Sequence, residues 1–354
     1  MKNKARIIIA VICVIAMAVP LIKCSADMTA PPATTAATTA ATTLATTTAA
    51  TTTAARTSIR IAALKGPTGI GLVKLMAEQE AGESGNDYQF SLHGDPNEVA
   101  AQLSNGQVDI AALPTNLAAV LYQKTSQKIR LLAINTLGVL YILEKGESIK
   151  SLADLAGREI LATGQAAVPE YVLSELLAKG KLAEPATVTY KTEHSELAAL
   201  AASGAADLVM LPEPFVTTVL SKNPDFRIAL DLTDEWQKIQ SASGNNSELS
   251  MGCLVVTESF ARENPAAIQR FLAEYRVSVD FVNASPQAAG SEVARFQIMA
   301  DAGLAAKAIP NCHIVLIQGE AMQATLEPFF EILFSANPKS IGGKLPDPAF
   351  YWVP

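Results

Sequence analysis

The groups in this chain that could do chemistry are few. Its three histidines, His93, His194 and His313, stand at no metal-ligand spacing and are read as surface or loop side chains. There is no Gly-x-Ser-x-Gly elbow, no phosphate-binding Walker loop and no Cys-x-x-Cys pair, so neither a catalytic set nor a metal or cofactor site is expected. What stands out is a set of short turns. Four of them, at 65–69, 114–116, 164–167 and 212–214, follow an apolar strand and open a helix, where backbone N–H groups lack intrahelical partners. The candidate ligand contacts are Lys65, Gly66, Pro67, Thr68, Gly69, Pro114, Thr115, Asn116, Gly164, Gln165, Ala166 and Glu213, joined by Asn135 and Met251. These turns carry no arginine, which suits a small solute held by amides and hydroxyls rather than a carboxylate clamped in bidentate fashion. Two readings stay open for the others. Glu213 either receives a ligand nitrogen or is an acidic first turn with Pro214 at N1. Lys65 either brings charge to the cleft or pairs with Glu213, and Thr115 and Asn116 are caps, contacts or both.

Such turns meet only if the strands before them run parallel, and a repeated phrase predicts that they do. Gly106-Gln-Val-Asp109-Ile-Ala-Ala-Leu113-Pro114 returns as Gly204-Ala-Ala-Asp207-Leu-Val-Met-Leu211-Pro212, an offset of 207 − 109 = 98 residues. The same offset relates Gly66 to Gly164 and Glu98 to Glu196. Two βαβαβ-type units in tandem follow, with ligand sites outside the carboxyl ends of their strands. The expected boundaries are lobe I at 58–138 and 251–354, and lobe II at 139–250. The chain bends at 135–138 into a strand at 139–143 that leads to the second lobe, and 251–256 crosses back, forming a double-strand hinge. Residues 241–250 read as an exposed loop. From Thr257 onward the spacing is helical (265–281, 285–299, 302–308, 318–334), and this C-terminal helical section is expected to pack on the first lobe.

With 354 residues and 49% hydrophobic content the chain can fill a large, Ala-rich core. A net charge of −7 argues against a nucleic-acid surface. The N-terminus reads as an address: Lys2, Lys4 and Arg6 precede an apolar run at 7–22 that is short for a membrane span. Leu21-Ile22-Lys23-Cys24 resembles a bacterial lipobox, with 1–23 a signal peptide and Cys24 lipidated. Cleavage near Ala16-Met17-Ala18 and a retained anchor are the alternatives. Removing Lys2, Lys4, Arg6 and Lys23 would leave −7 − 4 = −11. Residues 24–57, almost wholly Ala and Thr from Asp27 onward apart from Pro31-Pro32, have too little bulk to bury and read as a disordered tether to the membrane. Cys253 and Cys312 are either two buried thiols or a bridge.

Taken in order, Leu64-Lys-Gly-Pro-Thr-Gly69, the Asp109-to-Pro114 phrase, Leu152-Ala-Asp-Leu-Ala-Gly157 and Leu211-Pro-Glu-Pro-Phe215 resemble the substrate-binding proteins of bacterial ABC importers. The similarity is to the nitrate/sulfonate/taurine and thiamine-precursor group, and it covers about 58–334. It implies an α/β fold of the type II periplasmic binding class. It also implies an extracytoplasmic protein anchored to the outer face of the cell membrane by its N-terminal lipid. Such a protein captures a sulfonate-like solute or a nitrogen heterocycle and delivers it to ABC permease and ATPase subunits. The same resemblance admits enzymes (a thiamine-pyrimidine synthase, a menaquinone-pathway dehydratase) and a ligand-sensing receptor subunit as alternatives.

Overall fold

The computed structural model describes residues 56–245 and 247–353. The expected signal, Cys24 and nearly all of the tether lie outside the described residues. In chain order the first elements are β1 (Ser58–Leu64), α1 (Pro67–Ile70), α2 (Val73–Ala81), β2 (Asp87–His93), α3 (Pro96–Ser104), β3 (Ile110–Pro114), α4 (Thr115–Lys124) and β4 (Ile129–Leu137). The chain then forms β5 (Leu140–Lys145), β6 (Glu159–Thr163), α5 (Val168–Lys179), β7 (Thr187–Lys191), α6 (His194–Ala202), β8 (Leu208–Pro212), α7 (Phe215–Lys222), β9 (Phe226–Asp231) and α8 (Leu232–Ala242). It returns through β10 (Ser250–Thr257) to α9 (Glu258–Glu263), α10 (Pro265–Ala284), α11 (Pro286–Arg295), α12 (Ala302–Ala308), β11 (Ile314–Ile317) and α13 (Gly319–Ala336).

Two sheets result. The first has the order β11-β4-β10-β3-β1-β2 and the second β7-β6-β8-β5-β9. In each, a parallel trio (β2-β1-β3 and β7-β6-β8) is joined by an antiparallel strand that has just crossed from the other lobe, β10 beside β3 and β5 beside β8. The offset of 98 holds from β2 to β7 and from β3 to β8, while β1 and β6 stand one residue further apart: Leu161 pairs with Val209 where Ala62 pairs with Ala111. Strand β3 maps onto β8 and α3 onto α6 residue for residue, since 110 + 98 = 208 and 96 + 98 = 194. Gly106 and Gly204 lie at φ 68° and 75°, a left-handed turn that releases each helix into its strand and that a Cβ would disfavour.

The two copies of the phrase are anchored differently. Asp109 Oδ2 accepts from Arg60 N at 2.9 Å and Nε at 3.0 Å, and Oδ1 accepts from Nη2 at 2.6 Å. Asp207 is exposed, and Arg158, 98 residues after Arg60 in sequence, donates instead to Ser148 Oγ at 2.9 Å.

Four expectations are corrected. The C-terminal section is not all helix: Ile314–Ile317 is a strand that takes the open edge of β4. Nor does that section pack on the first lobe alone, because α12 touches α7 and α13 touches α5. Trp236 of α8 meets Phe329 of α13 edge-on at 5.7 Å between ring centroids. One apolar cluster therefore runs from Ala111 and Val255 of the first sheet through Met322, Leu326 and Phe330 to Ile142, Ile160 and Met210 of the second. The segment before β10 is not an exposed loop at its end, since Ser247, Leu249 and Ser250 are buried and Ser247 O accepts from Trp236 Nε1 at 3.1 Å. Strand β4 also continues through Asn135 to Leu137, so the chain turns only at Gly138 and Val139. Cys253 and Cys312 are free, buried thiols in separate core clusters.

The asymmetry of the phrase is testable. Asp109→Ala removes charge-assisted bonds to the Arg60 backbone and side chain and should lower stability by about 1–3 kcal/mol. Asp207→Ala should stay within about 0.5 kcal/mol of wild type. Urea unfolding midpoints of the two variants check this; equal losses would mean that the Arg60 contact contributes nothing specific.

Candidate functional site

The carboxyl ends of the six parallel strands open on one cavity of about 510 Å³, a size suited to a small organic molecule. All four turns singled out from the sequence reach its wall, through Lys65, Gly66, Pro67, Thr68, Pro114, Gly164, Gln165 and Glu213, and Met251 joins them. On the first lobe, Gly66 takes φ 143° and its carbonyl accepts from Gly69 N at 3.0 Å and Ile70 N at 2.9 Å, which folds the turn over the end of β1. Lys65 N donates to His93 O at 2.8 Å and ties the turns after β1 and β2 together. On the second lobe, Gly164 lies at φ 82° with Pro169 packed where a Cβ would stand.

Five of the expected contacts are not in the wall, each for a local reason. Gly69 approaches Leu64 O so closely that a Cβ would stand 2.4 Å from it, and it faces the strand. Thr115 and Asn116 do not cap α4; Thr115 Oγ1 lies 3.1 Å from Ser250 Oγ, and Asn116 Nδ2 donates to Ser340 O at 3.2 Å, both buried behind the wall. Asn135 is buried, and its neighbour Thr136 lines the cavity instead, as the alternation of a strand requires. Ala166 N donates to the Glu170 carboxylate, so that amide is occupied.

Glu213 lies at the wall yet is only 1% exposed. Its Oε1 accepts from Thr217 Oγ1 at 2.9 Å and its Oε2 from Thr217 N at 3.1 Å. Burial raises its pKa above the usual carboxylate value, and the two Thr217 bonds oppose that rise. Pro214 is the N-cap of α7 rather than its first residue. Among the described residues Lys65 forms no ion pair, so the expected pairing with Glu213 is absent.

Two further turns complete the wall: Gly94, Asp95, Pro96 and Asn97 after β2, and Lys191, Thr192, Glu193 and His194 after β7. They were legible in principle, because the repeat relates them (95 + 98 = 193) and both follow parallel strands. His194 is the histidine that departs from a surface role. Its Nδ1 stands 2.6 Å from Thr163 Oγ1, and its ring centroid lies 5.3 Å from that of Phe215. Burial lowers its pKa to about 4, leaving the ring neutral near pH 7. His93 Nδ1 bonds the Glu98 carboxylate at 3.0 Å, and His313 Nδ1 bonds Gly138 O at the crossing between lobes. Among the described residues no cluster of His, Cys, Asp or Glu is arranged to hold a metal ion, and no helix is long and apolar enough to cross a membrane.

Comparison with known proteins places this arrangement. The family described as NMT1/THI5 like matches residues 83–289. An ABC transporter protein from Parabacteroides distasonis superposes with a TM-score of 0.70 at 23% identity, over 84% of this chain and 99% of that one. The periplasmic aliphatic sulphonate binding protein SsuA from Escherichia coli gives 0.65 at 17% identity, over 85% and 93%. The alkanesulfonate-binding protein SsuA from Xanthomonas axonopodis pv. citri, bound to MOPS, gives 0.58 at 15% identity, over 79% and 94%. No match was found among curated protein sequences. The fold is α/β, of the periplasmic binding type with two sheets and a helical C-terminal section.

The state of His194 gives a pH signature. Its folded pKa, about 4, lies below the unfolded value near 6.5, so the unfolded chain binds the extra proton between those limits. Stability from this group is present above about pH 6.5 and is lost as pH falls towards 4. His194→Gln should flatten the fall of Tm across that window relative to wild type. Parallel Tm–pH curves would show that the ring is not desolvated.

Proposed function

The chain belongs to the NMT1/THI5-like family, and on that footing we propose that it is the extracytoplasmic solute-binding component of an ABC importer. The carrying observation is the cavity itself: three strand-to-helix turns from each sheet line one space of about 510 Å³. A solute held there touches both lobes, so its binding favours whichever lobe arrangement it fits best, and delivery to a permease follows from that preference. The reading includes a signal at 1–23, a lipid on Cys24 and a tether at 24–57 that leaves the two lobes free outside the membrane.

Of the two expected solute classes, the nitrogen heterocycle is the better fit. The cavity wall has no arginine, and its acids (Asp95, Glu193, Glu213) outnumber its lysines (Lys65, Lys191). Tyr190, His194 and Phe215 supply flat faces on the second lobe. A ring with an N–H donor can stack on these faces and donate towards Glu213. The likeness to sulphonate-binding proteins keeps a sulfonate as the second reading, held by amides at the turns.

A thermal-shift panel of 4-aminopyrimidine, alkanesulfonates, nitrate and flavin precursors tests this. One class should give a saturable shift with 1:1 stoichiometry and no turnover. Consumption of the compound at catalytic protein concentration would favour an enzyme of the same fold. Glu213→Gln should weaken a nitrogen-bearing ligand by about 10-fold or more, the loss of one charged hydrogen bond, and leave a sulfonate unaffected. Unchanged affinity for the nitrogen ligand would reduce Glu213 to a partner of Thr217.

A further inference from the structure

Within the second lobe, one buried hydroxyl has a single side-chain partner. Thr163, the last residue of β6, has no exposed surface, and its Oγ1 stands 2.6 Å from His194 Nδ1 at the start of α6. Among the described residues this hydroxyl has no other hydrogen-bond partner, so its proton is satisfied only by donation to Nδ1. A neutral imidazole that accepts at Nδ1 carries its proton on Nε2. No bond of Nε2 within the protein is found among the described residues, and His194 lines the cavity beside Phe215 and Tyr190. The architecture of the repeat does not demand this pair. At the related positions of the first lobe, the last residue of β1 and the first of α3, stand Leu64 and Pro96.

We propose that Thr163 is a positioning residue that fixes His194 as its Nε2–H tautomer, making that N–H a specificity-determining donor to the bound solute. The proposal rests on the cavity being the solute site and sharpens what the site selects. A solute must offer a hydrogen-bond acceptor to His194 on the second lobe, and a nitrogen heterocycle must do so while directing an N–H towards Glu213. A ring with donors only leaves the Nε2 proton unpaired, a loss that binding sites discriminate against strongly. Burial of the imidazole supports the same state by disfavouring its charged form, with a pKa of about 4.

The test has two arms. Long-range proton–nitrogen NMR of the unliganded protein at pH 7 reads the tautomers of His93, His194 and His313 separately. His194 should show Nε2–H alone in wild type, a mixture in Thr163→Val, and Nε2–H again in Thr163→Ser. A mixture in wild type, or no change in the valine variant, overturns the proposal. The second arm measures the Kd of 4-aminopyrimidine, whose ring nitrogens accept. Thr163→Val should weaken it about 10-fold and Thr163→Ser should restore it, whereas equal affinity in all three overturns the specificity role. If the tautomer results hold but wild type does not bind 4-aminopyrimidine, then the heterocycle reading of the cavity fails, and the specificity role with it. Thr163 then only orients the ring.

Discussion

Everything in this protein that faces the cavity depends on one constraint of parallel strands. A right-handed βαβ crossover returns each strand to start from the same edge of its sheet, so every carboxyl end, and every helix start that follows, gathers on one side. Two trios do this here, β2-β1-β3 and β7-β6-β8, and their six turns line one space. The antiparallel strands β10 and β5 belong to the crossings and extend each sheet beside β3 and β8, with β4 and β11 beyond the one and β9 beyond the other. Gathering the turns is thus a property of topology, and their chemistry is free to vary.

It does vary, and the repeat makes the variation readable. Pro114 and Pro212 are the same in both halves and reach the wall in both. Beyond them, one half buries Thr115 and Asn116, while the other places Glu213 at the wall with Thr217 on its oxygens. Leu64 and Thr163 end the related strands β1 and β6 with different roles, an apolar residue at the wall and a buried hydroxyl behind a histidine. The rings stand on the second lobe and the turn at 65–68 on the first, so a solute between them meets two different surfaces.

The architecture was legible in the sequence because it rests on features of period and offset. Short apolar runs, glycines at left-handed turns and a spacing of 98 residues survive without knowledge of any contact. The site was legible only in part, and the failures have specific causes. Asn135 and Thr136 differ by one residue in a strand, and nothing local says which faces the cavity. Thr115 and Asn116 look like caps by residue type, but Ser250 and Ser340, more than a hundred residues away, claim their side chains. His194 reads as a surface or loop side chain in the sequence because Thr163 and Phe215 become its neighbours only through folding. The strand β11 is four residues long and reads as part of a helical tract until it meets β4.

The central claim is that one solute engages the turns of both sheets together. Hydrogen–deuterium exchange of the protein, with and without the solute that gives the saturable thermal shift, tests it directly. The account predicts simultaneous slowing at backbone amides in 65–70 of the first lobe and in 164–168 and 213–217 of the second, at a single solute concentration. Slowing confined to one lobe, or to residues outside these turns, would contradict it.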